Sequence, residues 1–230
     1  MVERPSRVRR RPVTPNTDLV RVVLGRLAAA GEGWAPRFLG VDEGEEHLSW
    51  LPGAVRDDWG DRPDRLDALA RVVRRFHDLT VDVVPDAACL VHDDLQPRNV
   101  VVDDEEALGV IDWEQLRPGR RVDDVAQLCW SFSPPDAADV RAVGRRWRRV
   151  LDAYGLDDRV GIVPASLMKI EHCVDDIVRL AANGSPRHIG FQTRGDQIAL
   201  SATHAWLLRN EDALTAELTS VAARRSTRRT

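Results

Sequence analysis

From Val122 almost to the C-terminus the apolar residues recur at helical spacing, whereas the stretch before it is interrupted by two pairs of short, β-branched runs. That asymmetry reads as an α+β chain with a small helix-plus-hairpin front and a larger helical back.

In the front part, Leu19, Val22, Val23, Leu27 and Ala30 predict an amphipathic helix, with Asn16, Thr17 or Asp18 as its cap and Gly31 as its stop. The runs Arg37–Val41 and His47–Leu51 flank the polar turn Asp42–Glu46 and predict a β-hairpin that Pro52-Gly53 ends. Leu66, Leu69, Val72, Val73 and Phe76 mark a second helix over about Arg62–Asp78. A second hairpin follows from Asn99–Val102 and Leu108–Ile111, joined by the acidic turn Asp103–Glu106. Beyond it the periodicity predicts helices over Asp123–Ser131, Asp136–Tyr154, Pro164–Ala182 and Arg187–Leu208, with a weaker piece near Asp212–Ala222. No repeat of fixed period occurs.

Composition narrows the partners. Of the 230 residues, 33 are basic and 37 acidic, a net charge of −4. Lys169 is the only lysine, and the arginines are scattered along predicted helices instead of forming a basic face, which argues against a nucleic-acid partner. The Arg-rich termini read as solvated tails. No apolar run approaches the ~20 residues that span a bilayer, and no secretory signal is evident. The expectation is a cytoplasmic protein with no membrane partner. Cys89, Cys129 and Cys173 are odd in number and widely spaced, as expected of reduced, mostly buried thiols. The sequence sets no oligomeric state.

The chemistry concentrates in Leu90-Val91-His92-Asp93-Asp94-Leu95-Gln96-Pro97-Arg98-Asn99 and in Val110-Ile111-Asp112-Trp113. His92, Asp94 and Asn99 fall on a loop entering the second hairpin, and Asp112 at its exit. Paired strands lie about 4.8 Å apart, so Asn99 and Asp112 can sit side by side with Asp94 beside them. One amide oxygen and two carboxylates suit a magnesium ion that keeps waters for a phosphate partner.

These residues resemble the aminoglycoside phosphotransferase type of the protein-kinase-like phosphotransferases. The catalytic loop of that family reads His-Gly-Asp-x-x-Pro-x-Asn and its metal segment Ile-Asp-Trp; here the positions are His92-Asp93-Asp94-x-x-Pro97-x-Asn99 and Ile111-Asp112-Trp113. Asp124, in Val122-Asp123-Asp124-Val125-Ala126, matches the acid that braces the catalytic loop, and Leu48–Gly53 resembles the last small-lobe strand and the hinge. The resemblance implies a two-lobed, protein-kinase-like fold with a truncated N-terminal lobe over 1–52, a hinge at 49–53 and a mostly helical C-terminal lobe over 53–230. It also implies an activity: transfer of the γ-phosphoryl group of ATP to a small-molecule hydroxyl. Asp94 would orient the hydroxyl and accept its proton, Asn99 and Asp112 would hold Mg2+, and the backbone at Ser49 and Leu51 would meet adenine. His92 is expected to organise the loop more than to shuttle protons, and Gln96 stands where protein kinases place a lysine.

The small lobe departs from the family pattern. No glycine precedes Gly25 and no lysine is at hand, so Arg10 or Arg11, in a run resembling the end of the third strand, is the expected phosphate cation. The first helix has no Glu to pair with it, and Arg21 falls about where that partner is expected; the ion pair is absent or rebuilt. Three accounts fit: a start upstream of Met1, a natural short form, or a non-catalytic pseudokinase that binds nucleotide or ligand in an immunity or regulatory role. For the acceptor, Glu171 and Asp175 share a helix face at i, i+4, with Asp176 and Asp196 near in sequence; an acidic lining favours an aminoglycoside-like or amino-alcohol substrate, against the plainer reading of a solvated face. Trp113, Trp130, Trp147 and Trp206 offer an aromatic wall for a cation or sugar, against the plainer reading that Trp at helical spacing is core, and His77, His172, His188 and His204 show no zinc-ligand spacing.

Overall fold

The strand-bearing first half and the helical second half fall into two units in the computed structural model, which describes residues 7–85, 88–135 and 139–220. The division comes after Asp124.

The first unit opens with β1 (Val8–Pro12), α1 (Thr17–Ala29), β2 (Phe38–Asp42) and β3 (Glu45–Ser49). These strands make an antiparallel sheet in the order β1-β3-β2. The β2–β3 turn is tighter than the sequence suggests. Asp42 pairs with Glu45, leaving only Glu43 and Gly44 in the turn, both at positive φ (50° and 79°). That is a type I′ hairpin, whose twist matches its strands. Glu46 therefore lies in β3 and not in the turn, and its side chain is buried. In α1 the buried stripe is Val20, Val23, Leu24 and Leu27, while Val22 is exposed. Asn16 precedes the helix without capping it; its Nδ2 donates instead to the carbonyls of Glu114 (2.8 Å) and Leu116 (3.0 Å).

Then come β4 (Ala54–Val55), α2 (Pro63–Leu79), β5 (Cys89–Val91), β6 (Val100–Val102), β7 (Leu108–Val110) and β8 (Arg117–Gly119). They form two small sheets, β4-β6-β7 and β5-β8. β4, β5 and β8 escape sequence reading because they are short and lack the paired apolar runs about a polar turn that mark β6 and β7. Trp113 anchors this region: fully buried, it meets Phe76 of α2 edge-on at 5.1 Å and His92 at 4.8 Å between ring centroids. Its indole N–H donates to the Val110 carbonyl at 2.9 Å.

The division falls within α3 (Arg121–Phe132); α4 (Val140–Tyr154), α5 (Ile162–Ala182), α6 (Pro186–Arg194) and α7 (Asp196–Thr219) complete the second unit. α5 packs on α6 and α7, and α4 on α7. The expected helix Arg187–Leu208 is two helices, parted at Gly195, whose positive φ of 79° closes α6. The expected weaker piece near Asp212 is the end of α7; its residues beyond 220, like Asp136 and the Arg-rich tails at 1–6 and 221–230, lie outside the described residues. Trp130 and Trp147 are buried and Trp206 is half-buried, so the tryptophans serve the core. The three cysteines are thiols and form no disulfide with one another. Burial pushes the Cys89 thiol up to about 12 and raises that of Cys129 as well. No helix among the described residues is long and apolar enough to cross a membrane.

Gly53, which the sequence marks as the end of the first hairpin, sits at φ 118° with a Cβ position only 2.7 Å from the Val102 backbone. Gly53→Ala is therefore expected to destabilise the first unit by about 1–3 kcal/mol, read as a lower urea midpoint. An unchanged midpoint would contradict the close approach of these two backbones.

Candidate active site

The loop after β5 is organised by one buried carboxylate. Asp124, near the start of α3, accepts from the backbone N–H of His92 at 2.8 Å, from that of Asp93 at 3.0 Å and from His77 Nε2 at 3.0 Å. Burial raises the Asp124 carboxyl, but the His77 hydrogen bond and charge, with His92, outweigh it and hold it below the ordinary carboxylate range. His77, at the end of α2, is the partner that sequence reading missed; helical periodicity marks it only as an inward position.

The His92 ring ties the loop to the second hairpin. Its Nε2 lies 3.1 Å from the Ile111 carbonyl and its Nδ1 accepts from the Asp94 N–H at 3.4 Å. A neutral imidazole with its proton on Nε2 meets both partners. Burial lowers the pKa of His92 against the opposing pull of Asp124 and Asp94. Asp93 takes a left-handed φ of 63°, which Asp tolerates better than most residues, and its carboxylate is held by Arg117 at 2.7 Å.

Downstream, the side chain of Asn99 donates to both the carbonyl and Oδ2 of Asp94, each at 2.8 Å, and Gln96 donates to Asp94 Oδ1. Each carboxylate oxygen of Asp94 thus takes a side-chain donor. Because Asn99 spends its nitrogen on Asp94, its Oδ1 remains for another partner. The Asn99 carbonyl accepts from the Ile111 N–H at 2.9 Å, which sets Asn99 beside the end of β7, and Asp112 follows in the left-handed conformation (φ 67°, ψ 54°).

Asn99 and Asp112 both line a cavity of about 480 Å³, within the usual size for small-molecule sites. Arg9 and Arg11 border it from β1, Ser49, Trp50 and Leu51 from the end of β3, Gly53–Val55 from β4, and Arg98, Val101 and Ile111 from the second hairpin. Arg10, between two lining residues of a strand, lies on the opposite face and is exposed. Of the two expected cations the cavity therefore takes Arg11. Its Nε donates to Glu46 Oε1, and its Nη1 is 3.3 Å from Asp112 and 3.9 Å from Glu114. Arg11 Nη2 and Glu46 Oε2 are buried without partners. Glu46, Arg9 and Arg98 were not singled out from sequence; the signal for Glu46, an acid in phase with buried Leu48, is masked once it is assigned to the turn. Glu171 and Asp175 line a separate hollow of about 120 Å³ with Val174, Ser201 and His204. Asp176 and Asp196 instead pair with Arg179 and Arg194.

A sequence profile described as the phosphotransferase enzyme family matches residues 24–157, more than half of the chain. The chain belongs to that phosphotransferase family. The match takes in Glu46, the 92–99 loop, Asp112 and Asp124. A trifolitoxin immunity protein from Rhizobium leguminosarum bv. trifolii is 27% identical over 170 residues, 62% of this phosphotransferase-family chain and 65% of the relative, so less than two thirds of that protein is spanned. Among solved structures, a choline/ethanolamine kinase family protein from Mesorhizobium loti aligns over 94% of this chain and 88% of its own, with a TM-score of 0.62 at 15% identity. Choline kinase LicA from Streptococcus pneumoniae aligns over 90% and 86%, with a TM-score of 0.60 at 13% identity. At such identities the likeness is one of fold: the kinase-like fold, with small sheets and a helical C-terminal part.

The titrations of His92 and Asp124 run in the same direction. In the folded chain His92 stays neutral below the ordinary imidazole pKa of about 6.5, while in the unfolded chain it takes up a proton there. Stability is thus full above that value and falls as pH drops below it; Asp124 extends the loss below about 3.9. The urea midpoint is expected to fall between pH 7 and pH 5, with a shallower fall in His92→Asn. Equal slopes for the two proteins would contradict a buried, neutral His92.

Proposed function

We propose that this chain is an ATP-dependent small-molecule kinase that transfers the γ-phosphoryl group to a hydroxyl of an aminoglycoside-like or amino-alcohol acceptor. One convergence carries the reading: Asn99, Asp112 and Arg11 line a single cavity, and Asp94 is hydrogen-bonded to Asn99. The donor set fits magnesium bound with phosphate. An amide oxygen and a carboxylate leave several positions for water and phosphate oxygens, and no cluster of three or more His, Cys, Asp or Glu among the described residues forms a cage for a metal.

In this reading residues 49–53 are the hinge, and the backbone around Ser49 and Leu51 receives the base. Arg11 faces the phosphates as a fixed cation. Asn99 and Asp112 hold Mg2+, which supplies charge neutralisation at the phosphates. Asp94, its carboxylate oriented by Gln96 and Asn99, takes the proton of the acceptor hydroxyl as that oxygen bonds to the γ-phosphorus and the bond to ADP breaks. His92 and Asp124 hold the loop in register. Glu171 and Asp175, two acids one helical turn apart in sequence, are the feature that favours an amine-bearing acceptor. A second reading, a non-catalytic binder, draws on the Arg11–Asp112 contact, in which an internal cation already answers the carboxylate a metal needs.

Calorimetry with ATP, with and without magnesium, tests the assignment. Wild-type protein is expected to bind, and Asp112→Asn to lose roughly 10- to 100-fold in affinity only when the metal is present. The absence of both heat and a thermal shift at millimolar MgATP would rule out the nucleotide site. Asp94→Ala should keep nucleotide affinity while lowering turnover about 10²- to 10⁴-fold. Wild-type binding without turnover on any amino alcohol or aminoglycoside would favour the second reading.

A further inference from the structure

A cation that serves phosphates must itself be held, and α1 does not hold this one. The helix carries no glutamate, and its one acid, Asp18, is exposed and paired with Arg21 at 3.4 Å. Arg11 is gripped from another direction. Across the β1–β3 ladder it stands directly opposite Glu46, and Glu46 Oε1 accepts from Arg11 Nε. The Glu46 side chain is wholly buried and that of Arg11 nearly so. Glu46 is not among the cavity-lining residues, whereas Arg11 is.

We propose that Glu46 is the positioning residue of this site: it fixes the guanidinium of Arg11 by its Nε, so that the cationic end of the side chain is kept at the cavity for phosphate oxygens. The inference rests on the nucleotide reading above and deepens it. A carboxylate with no exposed surface persists as a charge only when paired, and the partner within reach is Arg11. A planar guanidinium held at one nitrogen has a defined plane, so its remaining donors point in set directions. The place of the cation is then dictated by strand register and does not depend on where a helix lies. Glu46 also balances Asp112. With Nε held, Nη1 reaches Asp112 at only 3.3 Å, a loose contact. Without Glu46 the charge of Arg11 is left to Asp112 and Glu114, and at Asp112 it competes with any divalent ion.

The test separates the phosphate half of a nucleotide from its base half. ATP with magnesium and adenosine alone are titrated into wild type, Glu46→Gln, Arg11→Ala and the double variant, with the melting curve of each recorded. Glu46→Gln is expected to weaken ATP binding about tenfold while adenosine affinity stays within about twofold of wild type. In the Arg11→Ala background the same change should cost nothing further. Unchanged ATP affinity in Glu46→Gln, equal losses for ATP and adenosine, or a full additional loss in the double variant would each overturn the positioning role while wild-type binding upholds the site. Absence of ATP binding by the wild type would overturn the nucleotide reading and this inference together. Should the buried glutamine prevent folding, Glu46→Asp, which keeps the charge but withdraws it from Arg11, is expected to show the same selective loss of ATP affinity.

Discussion

The carboxylate of Asp124 is what the geometry of the site depends on. A charge without contact to water is costly to bury, and three donors offset that cost: two successive backbone N–H groups of the 92–94 loop and the ring of His77. Because two of the donors are main-chain groups, the acid dictates the path of the chain. Once His92 and Asp93 are fixed, the imidazole reaches Ile111, Asp94 falls within reach of Gln96 and Asn99, and Asn99 stands beside the end of β7. Removing one oxygen of Asp124 loosens all of these relations together.

Strain collects in the same place. Asp93 and Asp112 both adopt left-handed backbone conformations, a state that costs of order 1–3 kcal/mol outside glycine and persists where the surroundings over-determine it. At position 93, where the resembled motif has glycine, the chain offsets the loss with Arg117, which holds the aspartate side chain at 2.7 Å. At position 112 the conformation turns the chain from β7 into the short helical turn bearing Trp113, so the carboxylate lies on the cavity while the next side chain enters the core.

Much of this was legible in the sequence because it is carried by local patterns. The β-branched pairs Val100–Val102 and Leu108–Val110, the polar loop before them and the periodic apolar residues of α2, α4 and α5 locate themselves. The loop spacing of His92, Asp94, Asn99 and Asp112 brings out the family. What was not legible depends on pairing at a distance. Glu46 reads as one more acid of a turn until its partner strand shows that it faces Arg11. His77 reads as an ordinary helical residue until Asp124 is found beside it. The break at Gly195 does leave a signal, a glycine amid the polar run 192–197, but the helical patterns on both sides of it mask the stop.

The two-residue turn at Glu43–Gly44 has a consequence out of proportion to its exposure. Surface turns usually tolerate added or lost residues, but a ribbon alternates its faces with every step. One residue gained or lost here would hand the interior an imidazole from His47 in exchange for an acid, and strand a guanidinium without its counter-charge. Length drift among relatives of this chain should therefore gather elsewhere, leaving this tip, fully open to solvent, as invariant in size as any buried segment.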